Sequence, residues 1–177
     1  MAIGFLRILS KLAKSILYSK LERGEKGHTI KLKRVDATSP HGVYVYDRVG
    51  GVWVLRWVGG EGFRPWRDGF YVVYFDNTCC PACRVFDAVW FTFVDLVGRG
   101  LGDTEFILVL CEWFSGRCNS PAAASTFRRF NVKTSPTILL LKVVDGRVVG
   151  REEVKGVKPL DTLIEKLNNF RRGEVKG

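Results

Sequence analysis

A run of five apolar residues in the middle of the chain restricts the possible folds more than any other segment. Residues 71–75 have the length and the branched side chains of a strand that is buried on both faces. Polar turn residues follow, and apolar side chains then recur at helical spacing over residues 85–97 until three closely spaced glycines end the pattern. A buried strand that passes directly into a helix indicates an α/β fold.

The segments that follow this helix extend the same alternation. Ser120 and Pro121 provide the N-cap and the first-turn proline of a short helix. Asp145-Gly146 is a two-residue hairpin signal, and Pro159 opens a last helix. The predicted strands are 106–110, 137–144 and 147–153, and the short helix runs to residue 130. From residue 69 the predicted order is therefore β, α, β, α, β, β, α, which gives a central mixed sheet flanked by helices.

The first 68 residues carry two different patterns. Apolar side chains recur at three-to-four spacing over residues 3–21 with cations between them, which predicts an amphipathic helix. Residues 29–58 are β-rich, with candidate strands at 29–35, 43–46 and 52–57. Their hairpin could be an added edge of the sheet, a small lobe or a surface for a partner. We divide the chain into an N-terminal extension (1–68), a domain (69–170) and a basic tail (171–177).

The net charge of +10 is concentrated near the N terminus. Residues 1–36 contain nine Lys or Arg residues and three acidic residues. Clustered cations are attracted to nucleic acid, anionic membranes and acidic partners, but a solvated basic face is the simpler interpretation, and we do not expect nucleic-acid binding. The predicted helix can dock on the protein body or on a second copy, or make a peripheral membrane contact.

Two features bear on the cellular compartment. Arg7, Lys11 and Lys14 interrupt the N-terminal apolar residues before a secretory signal can form, and no apolar run has the length of a membrane span. We therefore expect a cytoplasmic protein. Glutamine is absent and methionine occurs only at position 1, a bias typical of a thermophilic source, in which intracellular disulfides are less unusual.

Cys80 and Cys83 form a Cys-Pro-Ala-Cys motif where the buried strand gives way to the helix. A helix N terminus offers unpaired N–H groups and positive dipole charge, so it stabilises a thiolate. Cys80 is therefore the candidate nucleophile, and Cys83, one turn further along, is placed to attack the mixed disulfide that Cys80 forms. The motif predicts thiol–disulfide exchange that needs no metal and no cofactor besides the redox-active pair itself.

The chain resembles the thioredoxin-like superfamily over residues 69–170. The resemblance rests on the strand at 71–75, the dithiol and the Ser135-Pro136 step before a later strand. It implies a thioredoxin-like fold in which Pro136 is a cis-proline opposite the dithiol and the backbone of Ser135 is exposed to an extended substrate. It also implies protein disulfides as substrates and a reductase or an oxidase as the second partner.

Two positions depart from the thioredoxin pattern. Cys79 stands where thioredoxins have a tryptophan, and Tyr74 stands where they have a buried aspartate that helps to deprotonate the second cysteine. Asp76 and Glu112 are the candidates to take over this proton transfer. Because no histidine lies between the two cysteines and a proline follows the first, we expect a reduction potential between those of reductases and oxidases. The direction of electron flow stays open.

The remaining cysteines leave alternatives open. Cys111 and Cys118 are candidates for a structural disulfide, or they are two reduced thiols. Together with the dithiol they could instead bind zinc, although their spacing is loose for such a site. A further alternative is a redox-inert module that uses a thioredoxin-like fold to bind partners. We favour thiol–disulfide exchange, because it accounts for both the dithiol and the Ser135-Pro136 step.

Overall fold

A computed structural model describes residues 29–173, in which seven strands form one sheet and three helices cover it. The strands are β1 (Lys31–Leu32), β2 (Gly42–Asp47), β3 (Val52–Trp57), β4 (Gly69–Asn77), β5 (Thr104–Cys111), β6 (Thr137–Val144) and β7 (Arg147–Lys155). The helices are α1 (Pro81–Val97), α2 (Pro121–Arg129) and α3 (Leu160–Arg172). The strand order is β1-β3-β2-β5-β4-β6-β7; β4 and β5 are parallel, and the other neighbours are antiparallel. The α/β prediction with a central mixed sheet is confirmed.

Strand β4 places its side chains alternately in two apolar layers. Its residues 71–75 are buried, as the apolar run predicts, and the buried strand continues through Asp76 and Asn77, which the sequence assigned to a turn. Tyr74 packs against Phe86 of α1 with 5.4 Å between the ring centroids, in the layer that α3 also covers. Phe75 packs against Phe127 of α2 at 5.0 Å in the opposite layer. Because both faces are covered, β4 holds its C-terminal end, where the dithiol begins, in a fixed position.

The β2–β3 hairpin is an added edge of the sheet, which was one of the three placements that the sequence left open. Strand β2 pairs with β5 in antiparallel register, so the hairpin continues the same sheet. Trp53 on β3 is 1% exposed and lies 5.9 Å, centroid to centroid, from both Trp90 and Phe91 of α1. The hairpin therefore shares the core that supports the dithiol helix.

Several element boundaries differ from the prediction. Strand β1 covers only residues 31–32 of the predicted 29–35, because the chain turns at Asp36, whose carboxylate accepts the N–H groups of Thr38 and Ser39. Residues 171 and 172, which the sequence assigned to a basic tail, form the end of α3, where Arg171 pairs with Asp103 at 2.8 Å. The predicted helix at 3–21 and residues 174–177 lie outside the described residues.

The helices of the described residues have no candidate for a membrane span, since none is both long enough and apolar enough.

Candidate active site

The dithiol lies at the junction of β4 and α1, as the sequence predicts. The chain leaves β4 through a short turn in which Thr78 N–H donates to Cys111 O at 2.9 Å and Cys79 N–H donates to Glu112 O at 3.2 Å. Cys80 is the N-cap of α1, and its Sγ accepts the N–H of Cys83 at 3.3 Å. The sulfur thus occupies the place that a serine or aspartate oxygen takes in an ordinary helix cap, where negative charge is stabilised.

The two sulfurs of the motif have different surroundings. Cys80 is 5% exposed, so an edge of it reaches solvent, while Cys83 is 0% exposed. Burial raises the pKa of the Cys83 thiol, and the Ser135 hydroxyl, whose Oγ lies 2.8 Å from Cys83 Sγ, opposes that increase. The net effect is that the pKa of the Cys83 thiol is raised above its ordinary value. Of these two sulfurs, only that of Cys80 is accessible from solvent.

Ser135 and Pro136 lie across from the dithiol and are joined by a cis peptide bond. Ser135 O lies 3.7 Å from Cys80 Sγ, and Pro136 O accepts the N–H of Gly156 at 2.9 Å, which ties this loop to the end of β7. The resemblance assigned the backbone of Ser135 to substrate binding. The contact between its hydroxyl and Cys83 was not predicted, although the residue type directly before the proline could have suggested it.

The structure separates the two candidates for proton transfer. Asp76 is fully buried, and its carboxyl and the Cys83 thiol act on each other's pKa. Burial raises the pKa of Asp76, while its ion pair with Arg84 lowers it. Glu112 lies instead beside Cys79, with 3.9 Å between its Oε1 and the sulfur, and pairs with Arg117 at 3.6 Å. Of the two candidates, Asp76 is the one whose charge raises the pKa of Cys83, whereas Glu112 lies beside Cys79.

Sequence reasoning missed a cluster of charged side chains that joins β4 to α1, in which Asp76 is fully buried while Arg84 and Asp87 are partly exposed. Arg84 contacts Asp76 and also lies 3.2 Å from Asp87, which accepts a hydrogen bond from the Tyr74 hydroxyl at 3.0 Å. Burial raises the pKa of Asp87 to about 7; the charge of Asp76 adds to this effect and that of Arg84 opposes it. The signal was available in the sequence, since an arginine and an aspartate three residues apart follow Cys83 directly.

Cys111 and Cys118 form a disulfide at the end of β5. The bond closes a loop that also contains reciprocal hydrogen bonds between the backbones of Trp113 and Arg117. Sulfurs that are bonded to each other cannot serve as zinc ligands. Within residues 29–173 no group of three or more side chains could hold a metal ion.

We expect Cys118→Ser to lower the free energy of unfolding by about 2–3 kcal/mol, because the short loop is then no longer closed in the unfolded chain. Denaturant unfolding of the oxidised protein would measure the change. Cys79→Ser is the matched control, since Cys79 is an exposed free thiol and its replacement should shift stability by no more than about 0.5 kcal/mol. Equal stability of the two variants would contradict a stabilising role for the bond.

No protein-family model matches the sequence, and no curated protein matches it. Solved structures do resemble it. The thioredoxin from Aeropyrum pernix has 17% sequence identity and a TM-score of 0.50, and the match covers 76% of this chain and 98% of that one. Mitochondrial thioredoxin 3 from Saccharomyces cerevisiae, in its oxidized form, has 21% identity and a TM-score of 0.41 over 58% of this chain and 80% of that one. At 17% identity the likeness to the Aeropyrum pernix protein shows the fold alone, and the chain has a thioredoxin-like fold.

Proposed function

We propose that this protein is a thiol–disulfide oxidoreductase that exchanges protein disulfides through Cys80 and Cys83. The observation that carries the proposal is the contrast between two sulfurs one helical turn apart. Cys80 caps α1 and accepts an amide N–H, whereas Cys83 is fully buried as a thiol. Thiol–disulfide exchange needs this contrast, since one sulfur must attack the substrate disulfide and the other must afterwards resolve the mixed disulfide.

In the reducing direction, the Cys80 thiolate attacks one sulfur of a substrate disulfide. A bond forms between Cys80 and that sulfur, and the second substrate sulfur leaves as a thiolate. Cys83 then gives up its proton and attacks Cys80 Sγ, so that the substrate's first sulfur also leaves. The substrate has gained two electrons, its two sulfurs have taken up the proton of Cys83 and one proton from solvent, and the enzyme holds a Cys80–Cys83 disulfide. A dithiol reductase restores the pair, and the reverse sequence forms disulfides with a disulfide oxidase as partner.

The enzymatic proposal is tested by the reduction of insulin disulfides with dithiothreitol as the electron source. We expect the full chain to accelerate insulin reduction and the Cys80→Ser, Cys83→Ser double variant to show only the rate of dithiothreitol alone. A wild-type chain that is no faster than the double variant would instead indicate a redox-inert module. The reduction potential of the pair then sets the direction: a value near about −270 mV indicates a reductant and one near about −120 mV an oxidant.

Trp113 is placed to contact a polypeptide substrate. It follows Glu112, whose carbonyl accepts the Cys79 N–H, and it lies in the loop closed by the Cys111–Cys118 bond. Its side chain is 43% exposed, although a large aromatic side chain is normally well covered. Thioredoxins have a tryptophan at the position of Cys79. In our proposal Trp113 supplies the aromatic contact with the substrate that Cys79 cannot make.

We expect Trp113→Ala to slow the reaction with insulin about fivefold, the effect of one lost aromatic contact of about 1 kcal/mol. The rate with a small aromatic disulfide should be unchanged, since such a substrate does not extend to the loop. Trp66→Ala is the matched control, because Trp66 is 46% exposed but packs on Trp57 and Tyr71, away from the dithiol. Equal slowing with both substrates would show that Trp113 does not contact the polypeptide.

A further inference from the structure

The side of α1 that faces away from the sheet is apolar and exposed. Among the 17 residues of α1, only one arginine and two aspartates are charged. The outward side carries five uncharged residues at the spacing of one helical face, which we call the outer stripe: Val85, Ala88, Val89, Thr92 and Leu96. Val85 is 65% exposed and Leu96 is 62% exposed. A helix that is apolar on all sides is normally buried, so the outer stripe is a surface that calls for a cover.

We propose that residues 3–21 of this chain dock on the outer stripe as a helix antiparallel to α1. The sequence predicts an amphipathic helix at these residues. Its apolar side chains include five that repeat the spacing of the outer stripe: Phe5, Ile8, Leu9, Leu12 and Ile16. The two helices have similar lengths of about 28 Å and about 25 Å, so their stripes can pack together from end to end. This inference concerns an interaction surface and does not depend on the proposed function.

The strand pairing places the start of the described chain at the end of the sheet where the dithiol lies. Ile30 O accepts the N–H of Leu55 at 3.0 Å, and β1 is antiparallel to β3. Two residues further along β3, a row of paired residues crosses the sheet to the end of β4: Trp57, Val43, Val109 and Phe75. The residues before Ile30 therefore continue toward the end of the sheet from which α1 starts.

The entry point of the chain also sets the direction of the docked helix. Ile30 and Leu32 pack in the same apolar layer as α1, so the chain enters on the side of the sheet that α1 covers. The end of residues 3–21 that is joined to the described chain then lies near Val85, and the other end lies near Leu96. This direction is opposite to that of α1.

The connecting segment is long enough for this docking. Residues 22–28 can span at most about 25 Å. Strand β1 lies four strands from β4 in the sheet, a distance of about 19 Å. Gly24 and Gly27 allow the segment to turn. A tether of this length gives residues 3–21 an effective concentration in the millimolar range at the outer stripe, which favours them over a second copy of the chain.

The charges of the two helices are complementary. Residues 3–21 contain four cations and no acidic residue, whereas α1 has a net charge of −1 from one arginine and two aspartates. Asp95 lies beside the outer stripe, is exposed, and has no ion pair within residues 29–173. In the antiparallel arrangement Arg7 is the cation nearest to Asp95. Because exposed ion pairs contribute little affinity, this pair acts mainly on the orientation, and the apolar stripes hold the helices together.

Hydrogen–deuterium exchange of the full chain, followed by mass spectrometry, tests the docking. Leu96→Glu places a charge at one end of the outer stripe, and Val85→Glu places one at the end near the dithiol. Val149→Glu is the matched control, because Val149 is a valine of β7 that is 60% exposed and lies outside the outer stripe. The wild type is measured at two protein concentrations, and with and without vesicles of an anionic phospholipid.

In Leu96→Glu we expect the amides of residues 5–9 to exchange about tenfold faster than in the wild type, because a charge replaces an apolar contact. In Val85→Glu the larger increase should fall on residues 12–17. Val149→Glu should change neither set. The rates of the wild type should be the same at both protein concentrations and with vesicles.

Three results would overturn the docking: equal rates in the wild type and both stripe variants, protection that increases with protein concentration, or protection that appears only with vesicles. The second would assign the outer stripe to another copy of the chain, and the third would assign residues 3–21 to a membrane surface. An increase at the opposite end in each variant would overturn the antiparallel direction. If a glutamate variant does not fold, alanine at the same position replaces it, and the same half of the segment should exchange faster.

Discussion

Replacement of Cys83 by serine is expected to turn the protein into a trap that keeps its substrate bound through a disulfide to Cys80. Attack by Cys80 does not need Cys83, but release of the mixed disulfide does, because Cys83 is the sulfur one turn away. Turnover should fall about a thousandfold, since the two sulfurs act as one unit. Gel electrophoresis without reductant, followed by mass spectrometry of the trapped species, would show the bond.

Two matched variants make the trapping experiment specific. Cys80→Ser should not accumulate the mixed disulfide, because the fully buried Cys83 does not meet the substrate. Cys79→Ser combined with Cys83→Ser should trap as well as Cys83→Ser alone, because the exposed Cys79 thiol does not cap the helix. Equal trapping by Cys80→Ser and Cys83→Ser would contradict the assignment of Cys80 as the nucleophile.

Replacement of Trp53 by alanine is expected to lower the free energy of unfolding by about 3–5 kcal/mol, the range for loss of a large aromatic side chain from a core. Trp53 lies on β3, in the hairpin before residue 69, yet its indole packs between Tyr46 and two rings of α1. Its removal leaves a cavity against the helix that presents the dithiol. Denaturant unfolding, followed by circular dichroism, would measure the loss.

Val49→Ala is the control for this hairpin, since Val49 is 91% exposed in the turn and its replacement should shift stability by no more than about 0.5 kcal/mol. We also expect Trp53→Ala to keep the dithiol reactive below its lowered melting temperature. A loss of less than about 1 kcal/mol in Trp53→Ala would mean that the hairpin is not an integral part of the core.

The sequence predicts the elements around the dithiol well because their signals are local. The apolar run at 71–75 and the N-cap position of Cys80 each depend on a few neighbouring residues. Placement of the hairpin depends instead on pairing between Val43 and Val109, which are far apart in the chain, and no local pattern identifies that partner. For this reason the sequence alone is compatible with three placements of the hairpin.

The charge cluster escaped prediction for a related reason. Residue spacing puts Arg84 and Asp87 on neighbouring turns of one helix, but it does not show that both face the sheet. Only the packing of α1 on β4 brings Arg84 to Asp76, which is eight residues earlier in the chain. The assignment of Glu112 as an equal candidate shows the same limit, since its position one residue after β5 gave no indication of which way it points.

The Asp76–Arg84 pair, in which Asp76 is fully buried and Arg84 is partly buried, also affects how the stability of the fold responds to heat. Water solvates isolated ions less favourably as the temperature rises, so the free-energy penalty of keeping a pair of opposite charges dry becomes smaller. The pair therefore destabilises the folded state more at low temperature than at high temperature. An ion pair with a buried carboxylate is therefore better tolerated by a fold at high temperature than at low temperature.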